Sequence, residues 1–256
     1  MNTKAIGAAA GLAAAGAAGV AFYGGQYPTA QIYGPTICRN PAAGRRICLT
    51  YDDGPNPVYT PKLLEILDRF NAKATFFSIG MWVEREPELL REVHAAGHAI
   101  GNHTFTHPTM PLLSGPEVKE EMRRCRGAVE AAGLEFSRGP EGMLMRPPYG
   151  RRRPGTLRAV REEGYEPVTW SVTCYDWRRT ATQRSIARHA AHAGEGDIIL
   201  MHDGNNLEPA ADRSRSVAAT EDTLNRYAAE GYEFVTVPEL VGAPGAAGTN
   251  GSAAAA

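Results

Sequence analysis

Short apolar runs alternate with helical stretches along most of this sequence, and this alternation limits the fold more than any other feature. Seven runs of three to six residues, each bounded by turn or helix signals, are predicted to be β-strands. They are residues 47–50, 74–77, 99–101, 143–146, 167–172, 197–201 and 233–236. The helices predicted between them are residues 61–69, 87–94, 116–131, 155–163, 183–193 and 219–229. This order indicates an α/β fold with a parallel sheet.

Unusual polar runs come directly after several of these strands. Because the carboxyl ends of the strands in a parallel barrel all face one side, we expect these runs to meet in space and to form a site. They are Asp52-Asp53-Gly54-Pro55, His103-Thr104-Phe105-Thr106-His107, Arg146-Pro147-Pro148-Tyr149-Gly150, Asp176-Trp177 and His202-Asp203-Gly204.

The pair His103 and His107 is a candidate for metal binding. On a helix or tight turn this spacing places both imidazoles on one side, and a carboxylate from another strand end would complete a site for a divalent transition ion. Asp52 and Asp53 are adjacent, so their side chains diverge if the backbone is extended, which suits two separate tasks. Taken singly, these motifs also fit two surface histidines and an ordinary Asp-Asp-Gly-Pro turn.

The run after the fourth strand contains a cation and a rigid loop. Arg146 is suited to hold a carboxylate, and the two prolines remove backbone donors and leave the Tyr149 amide as a fixed donor for an oxyanion. His202 ends an apolar strand that faces the expected site. Arg151, Arg152 and Arg153 are predicted to be a solvated loop and helix start. The remaining histidines are predicted to be structural or exposed; they are His94, His98, His189 and His192.

The two ends of the chain differ from its middle. Residues 1–37 are rich in Ala and Gly, with Lys4 as the only cation, which is typical of a secretory signal or an uncleaved membrane anchor followed by a linker. A disordered Ala/Gly tail is the alternative interpretation. Residues 242–256 are uncharged and are predicted to be a disordered tail. We therefore expect an exported protein, secreted or held at the outer face of the membrane, with one core domain at residues 38–241.

Charge and cysteine content exclude some classes of protein. With 27 Lys and Arg against 28 Asp and Glu, the chain lacks the broad basic surface of a nucleic-acid-binding protein. Its four cysteines form no C-x-x-C pair, which argues against a zinc–thiolate site. Cys38 and Cys48 would be able to bridge a short loop in an exported protein, whereas Cys125 and Cys174 are predicted to be small buried apolar residues.

Taken together, the runs resemble the motifs of the polysaccharide deacetylase family, carbohydrate esterase family four, whose catalytic unit is the chitooligosaccharide deacetylase homology domain. Residues 50–55 resemble its first motif, 103–107 its second, 146–150 its third, 176–177 its fourth and 200–202 its fifth, all in the family's order. Thr173 stands where the fourth motif often has a further Asp. The resemblance implies a single distorted (β/α) barrel of about seven parallel strands.

The resemblance also implies roles for individual residues. Asp53, His103 and His107 would hold a divalent transition metal, Zn²⁺ first and Co²⁺ or Ni²⁺ as alternatives. Asp52 would be the general base for the attacking water and His202 the general acid. The resemblance implies further roles for residues around Asp52 and His202. Arg146 and Asp176 would orient Asp52 and His202 in an order left open, the Tyr149 N–H would hold the oxyanion, and Leu200 and Trp177 would wall the pocket for the acetyl methyl.

The expected activity is metal-dependent removal of acetyl groups from a polysaccharide. Peptidoglycan, chitin oligomers and O-acetylated xylan remain open as substrates, and a monomer is expected. Two alternatives keep the same barrel: a carbohydrate-binding protein without turnover, and a hydrolase of small amides or cyclic imides.

Overall fold

Parallel strands form the centre of the protein. The computed structural model describes residue 16 and residues 19–242. Within them every strand pairing is parallel, and the main series runs β5-β4-β3-β2-β1-β7-β6, with β8 paired to the start of β1. The strands are β1 (Arg46–Gly54), β2 (Ala74–Ser78), β3 (Ala99–Asn102), β4 (Met143–Met145), β5 (Tyr165–Pro167), β6 (Val172–Thr173), β7 (Ile198–His202) and β8 (Glu233–Phe234).

The series of seven strands curls into a half-barrel surrounded by helices, which confirms the predicted α/β barrel of about seven parallel strands. One predicted strand is wrong in detail, because the run 167–172 is divided between β5 and β6. Between those two strands Val168 forms a parallel bridge with Ile37, and the Thr169 N–H donates to the Ile37 carbonyl at 2.7 Å. The backbone there pairs with the N-terminal part of the chain instead of continuing one strand.

The helices cover the outside of the sheet. All six predicted helices are present; in the described part of the chain, the short helices α2 and α8 and the helical residues 16 and 19–26 were not predicted. Ser114 and Glu117 form a reciprocal capping box at the start of α4, where a Pro occupies the first turn. The helices are α1 (Thr60–Arg69), α2 (Gly80–Val83), α3 (Pro87–Ala95), α4 (Gly115–Ala131), α5 (Pro154–Glu162), α6 (Gln183–Ala190), α7 (Ser214–Ala229) and α8 (Val237–Val241).

Strand β1 shows how the sheet positions the site. Its alternate residues Ile47, Leu49 and Tyr51 belong to the core between the sheet and the helices. The residues between them face the interior of the half-barrel, beginning with the buried Cys48. The next interior position is Thr50, and the one after it is Asp52, so the interior face becomes more polar toward the carboxyl end of the strand.

The four cysteines are free thiols, so the bridge between Cys38 and Cys48 is not formed. Cys125 and Cys174 are buried, as predicted for small apolar residues, and Cys48 is buried as well. In the described part of the chain, no helix is both long enough and apolar enough to span a membrane. Of the predicted signal or anchor with its linker, residues 1–15, 17 and 18 lie outside the described part, and residues 19–26 are helical. The predicted tail after residue 242 also lies outside the described part.

Candidate active site

Asp52 and Asp53 lie near the carboxyl end of β1, and their carboxylates point toward the same histidine. Asp52 Oδ2 lies 3.7 Å and Asp53 Oδ1 lies 3.4 Å from His103 Nε2. The expected divergence of the two side chains is therefore wrong. Asp53 has φ of 72°, and the β1–β2 register shifts between Asp52 and Gly54, so the alternation of an extended strand stops at this point.

The predicted metal ligands converge. The candidate ligand atoms of Asp53, His103 and His107 all lie within 4.8 Å of one another, and the three residues are buried. Asp53 Oδ1 is 3.2 Å from His107 Nε2. His103 Nδ1 is 2.8 Å from the carbonyl oxygen of Arg146, a contact in which the ring N–H donates and Nε2 keeps its lone pair for an ion.

The loop between the two histidines is bent and contains no helical turn. Thr104 and His107 have φ of 67° and 60°, and this conformation brings the two rings to a centroid distance of 4.9 Å. Asn102 Oδ1 accepts the Thr104 N–H, and the Glu121 carboxylate accepts the next two backbone N–H groups. The N–H groups of the loop are thus held by side chains, whereas its Thr104 and Phe105 carbonyls accept the backbone N–H groups of Gly80 and Met81 in α2.

Electrostatics favour an ion at this cluster. Burial works to raise the pKa of Asp53, but the imidazoles of His103, His107 and His202 outweigh it and hold that pKa well below its usual range. Burial lowers the pKa of His107 to about 4, although Asp53 acts in the opposite direction, so the ring is neutral and able to ligate. Asp53 Oδ1 and His107 Nδ1 are buried without a hydrogen-bond partner among the described residues. The donor set of two imidazoles and one carboxylate therefore fits a divalent transition ion.

Arg146 is the partner of Asp52. Its guanidinium donates to Asp52 Oδ1 at 2.7 Å and to Thr50 Oγ1 at 2.8 Å, and it donates to the Thr169 carbonyl at 3.0 Å. The side chain is fully buried and lies 4.1 Å from the ring centroid of Phe77. These contacts fix Asp52 by one oxygen and leave Oδ2 facing His103.

Asp176 is the partner of His202. Its Oδ1 accepts a hydrogen bond from His202 Nδ1 at 2.8 Å, and its Oδ2 accepts from the His202 backbone N–H and from Ser216 Oγ. Burial works to lower the pKa of His202, but attraction to Asp176, with smaller contributions from Asp53 and Asp52, raises it to about 9. His202 therefore carries a proton at neutral pH.

A cleft of about 420 Å³ opens above these groups. The Tyr149 ring is half-exposed and packs edge-on against His107 at 4.6 Å, and Trp177 packs edge-on against His202 at 5.2 Å. Leu200 also lines the cleft, whereas Arg146 and Asp176 lie behind it. The cleft is lined by Asp52, Asp53, His103, His107, Tyr149, Trp170, Trp177, Leu200, His202, Asn205, Asn206 and Arg213.

Several lining residues were not predicted from the sequence. Asn205 and Asn206 directly follow the run His-Asp-Gly at residues 202–204, so the signal was present, but only His202 was singled out there. Trp170 carries no such signal, since it reaches the cleft from the segment between β5 and β6. Its indole N–H donates to Thr173 Oγ1 at 2.8 Å, which gives a role to the residue that departs from the fourth motif.

The position of Arg152 shows that another prediction from the sequence is wrong. It was predicted to be solvated with its two neighbours, but it is only 2 % exposed. Its guanidinium donates to four backbone carbonyls, three of which belong to residues 27–30. Arg151 and Arg153 are exposed as expected.

Comparison with known proteins places this geometry in a family. A model described as polysaccharide deacetylase matches residues 39–168. The chain is 37% identical to a peptidoglycan-N-acetylglucosamine deacetylase of Bacillus cereus over 76% of its own length and 87% of that protein. It is 34% identical to a chitooligosaccharide deacetylase of Bradyrhizobium sp., covering 77% and 90% of the two chains. The structure of a family 4 carbohydrate esterase from Streptomyces lividans in complex with acetate is similar, with a TM-score of 0.66, 30% identity and coverage of 77% and 95%. This chain belongs to the polysaccharide deacetylase family.

Proposed function

We propose that this protein is a metal-dependent hydrolase that removes acetyl groups from a polysaccharide containing N-acetylglucosamine. The observation that carries the proposal is the arrangement of three separate groups around one cleft. A histidine–histidine–aspartate cluster lies between the Asp52–Arg146 pair and the His202–Asp176 pair. Such a set supplies an ion site, a proton acceptor and a proton donor within reach of one substrate bond.

The proposed ion site is formed by Asp53, His103 and His107, and Zn²⁺ is the first choice because this donor set suits it. Co²⁺ and Ni²⁺ are the alternatives. A divalent ion bound there would lower the pKa of a water molecule and polarise the acetyl carbonyl.

The side chains around this site have distinct proposed roles. Asp52, held by Arg146, accepts a proton from the attacking water through its free oxygen. The Tyr149 N–H makes no hydrogen bond with another described residue and is available to donate to the oxyanion. His202 donates a proton to the leaving nitrogen as the bond between carbon and nitrogen breaks, and its high pKa keeps that proton in place at neutral pH. Leu200 and Trp177 provide the apolar wall for the acetyl methyl group.

The names of the similar proteins support an N-acetylated glycan as the substrate, either peptidoglycan or chitin oligomers. O-acetylated xylan is retained as a third substrate for the test. A substrate in the cell wall requires the site to lie outside the cell membrane, so export, with cleavage or with anchoring through the N-terminus, forms part of the proposal.

The test measures acetate released from peptidoglycan, chitin oligomers, acetyl-xylan and a set of small amides and cyclic imides, with the bound metal identified on the same sample. We expect release from an N-acetylated glycan, its loss on chelation, and its recovery when Zn²⁺, Co²⁺ or Ni²⁺ is added back. Asp52→Asn should abolish most of the release, whereas Asp68→Asn on the exposed face of α1 should leave it unchanged.

Other outcomes would identify the alternatives. Glycan binding without acetate release under any metal would indicate a carbohydrate-binding protein. Turnover of small amides alone would indicate an amide or imide hydrolase. Release that persists after both chelation and Asp52→Asn would contradict the proposed mechanism.

A further inference from the structure

The segment 25–37, which we call the N-terminal strap, lies before the region matched by the family model but packs directly on the barrel. The Ile37 N–H donates to the Pro167 carbonyl at 3.0 Å, and the Ile37 carbonyl accepts the Thr169 N–H. The strap thereby pairs with the segment between β5 and β6, where the strands do not pair with each other. It was predicted to be part of a linker, yet it supplies backbone partners to a wall of the cleft.

A buried arginine, Arg152, forms hydrogen bonds both with the strap and with the loop that contains Tyr149. One terminal nitrogen of Arg152 donates to the Gly150 carbonyl at 2.8 Å. The other donates to the carbonyls of Tyr27, Pro28 and Ala30 at 2.7, 3.1 and 2.8 Å. The Arg152 backbone N–H also donates to the strap, at the Gly25 carbonyl.

These acceptors are all neutral carbonyls, and Arg152 forms no ion pair with a carboxylate among the described residues. Burial lowers the pKa of Arg152, and the charge on its guanidinium is met by these hydrogen bonds. A buried cation costs free energy unless its donors are well satisfied, so the position imposes a strict geometry on both partners. A contact between the strap and the loop at the protein surface would not need a buried arginine.

The geometry held by Arg152 is that of a strained turn. Tyr149 and Gly150 both have positive φ, 60° and 64°. A Cβ added at Gly150 would lie 2.7 Å from Trp170 Cη2, so the turn is pressed against the cleft wall on one side. On its other side the Gly150 carbonyl is held by Arg152. Gly150, the residue directly after Tyr149, is therefore fixed from both directions.

The strap supports the Asp52 side of the cleft through a second path. Thr169 Oγ1 donates to the Pro28 carbonyl at 2.8 Å, and the Thr169 carbonyl accepts a hydrogen bond from Arg146, the partner of Asp52. The strap is thus linked to Asp52 through Thr169 and Arg146, and to Gly150, the neighbour of Tyr149, through Arg152.

We propose that Arg152 is a positioning residue and that the N-terminal strap is part of the active site, because together they hold the Tyr149 N–H in the direction in which it meets the oxyanion. The inference rests on the proposed deacetylase function. The Tyr149 N–H acts mainly when negative charge develops on the acetyl oxygen, so misplacing it should lower kcat more than it changes KM. Removal of a whole oxyanion donor costs about 100- to 1,000-fold, so a displaced one should cost about 10- to 100-fold.

The test compares Arg152→Gln with Arg161→Gln. Arg161 donates to the Pro35 carbonyl at the other end of the strap but does not contact the Tyr149 loop, which makes it a matched control. We expect Arg152→Gln to lower kcat about 10- to 100-fold with KM nearly unchanged, and to weaken inhibition by the product acetate. Arg161→Gln should keep both values near those of the wild type.

Hydrogen exchange of the whole protein gives a readout that does not depend on activity. In Arg152→Gln, exchange should become faster together in peptides covering the strap and residues 147–151, whereas in Arg161→Gln it should become faster in the strap alone. If Arg152→Gln does not fold, Arg152→Lys takes its place, because lysine keeps the charge but cannot donate in both directions at once.

Two results would overturn the inference. One is an equal loss of kcat in the two variants, which would mean that the strap acts only through stability. The other is an unchanged kcat in a folded, metal-loaded Arg152 variant. If the wild type itself releases no acetate from any glycan, the proposed function fails, and the exchange experiment still tests the coupling between the strap and the loop.

Discussion

The two ends of the strands use left-handed backbone in different ways. At the carboxyl ends, which form the mouth of the barrel, five residues other than glycine have positive φ: Asp53, Thr104, His107, Tyr149 and Tyr175. At the amino ends, which form its base, four positive-φ positions that end helices are glycines, Gly97, Gly133, Gly164 and Gly231, and another is Asn71, a residue type that tolerates this conformation. A side chain in this conformation costs about 1–2 kcal/mol, and glycine avoids that cost. At the mouth, side chains occupy strained backbone positions because they contact other groups of the site. Strained residues that cluster in this way are expected at a functional site.

Buried titratable groups show the same difference. At the mouth they contact one another, as Asp53 does His103 and His107. At the base their hydrogen bonds come from neutral groups: His98 Nδ1 accepts the Ala74 N–H, and Asp197 accepts the Gly194 N–H and the Ser171 hydroxyl, with the half-exposed Arg39 as a cation at 3.5 Å. Residue type alone therefore does not identify a functional residue here, whereas the nature of its partner does.

The largest expected difference between the two ends is in catalysis. Asp52→Asn removes the proposed proton acceptor at the mouth, and we expect kcat to fall about 100- to 10,000-fold. Asp197→Asn changes an equally buried carboxylate at the base and should lower the free energy of unfolding by about 1–3 kcal/mol without changing kcat. Acetate release and urea-induced unfolding are measured on both variants.

The Asp52 variant should also lose stability, because it leaves the buried Arg146 cation without its carboxylate. Rates are therefore compared at a temperature at which both variants are fully folded. A kcat loss in Asp197→Asn as large as that in Asp52→Asn would remove the functional distinction between mouth and base.

The second prediction concerns the proton on His202. Asp176 attracts the charged form of that imidazole, so its removal should lower the pKa of His202 from about 9. In Asp176→Asn the alkaline limb of the kcat profile should move to lower pH by about 1–3 units, and kcat at neutral pH should fall accordingly. Profiles of the wild type and the variant from acid to alkaline pH provide the measurement. An alkaline limb that stays in place would mean that His202 is not the acid that this limb reports.

The third prediction concerns a buried histidine at the base. Burial, assisted by Lys73, lowers the pKa of His98 to about 4 in the folded protein. The unfolded chain takes up this proton near pH 6.5, so the stabilising contribution of neutral His98 is complete above that pH and is lost as the pH falls toward 4. Between pH 7 and pH 5 the wild type should lose about 2 kcal/mol through this residue alone.

His98→Asn keeps an acceptor for the Ala74 N–H but does not titrate, so its stability should depend less on pH over the same interval. The exposed His94→Asn serves as the control and should follow the wild type. Equal pH dependence in all three proteins would show that His98 does not resist protonation.

The sequence was sufficient for the arrangement of the mouth because that arrangement follows from the parallel strands. Once the apolar runs are strands and the polar runs follow them, Asp53, His103 and His202 must approach one another. The helix stops at Gly97, Gly133, Gly164 and Gly231 were equally predictable, since an Ala-Gly or Glu-Gly step ends a helix by local chemistry alone.

What the sequence did not predict depends on contacts between distant segments. Alternation along β1 predicts that Asp52 and Asp53 diverge, and only the left-handed backbone at Asp53 turns its carboxylate back. To predict that Arg146 pairs with Asp52, one must know how deep each side chain lies in the barrel, and the sequence does not give that depth. The burial of Arg152 results from the strap, more than 120 residues earlier in the chain. A run of three arginines carries no local sign that the middle one is enclosed.

The prediction with the smallest expected effect tests whether glycine is needed at a helix end because of its backbone conformation. It compares two glycines at and within the same helix. Gly133 follows α4 with φ of 72°, and Gly127 lies within that helix; an added Cβ meets nothing within 4 Å at either position. The two sites thus differ in backbone conformation and not in space. Gly133→Ala should destabilise the protein by about 1 kcal/mol, because alanine is strained at positive φ. Gly127→Ala should stabilise it by about 0.5–1 kcal/mol, because alanine loses less entropy in a helix.

Urea unfolding measures both changes in the free energy of unfolding, and kcat should stay constant because neither residue is near the cleft. A change of the same sign in the two variants would show that conformation is not what requires glycine at the base, and the contrast with the strained side chains at the mouth would then lose its physical explanation.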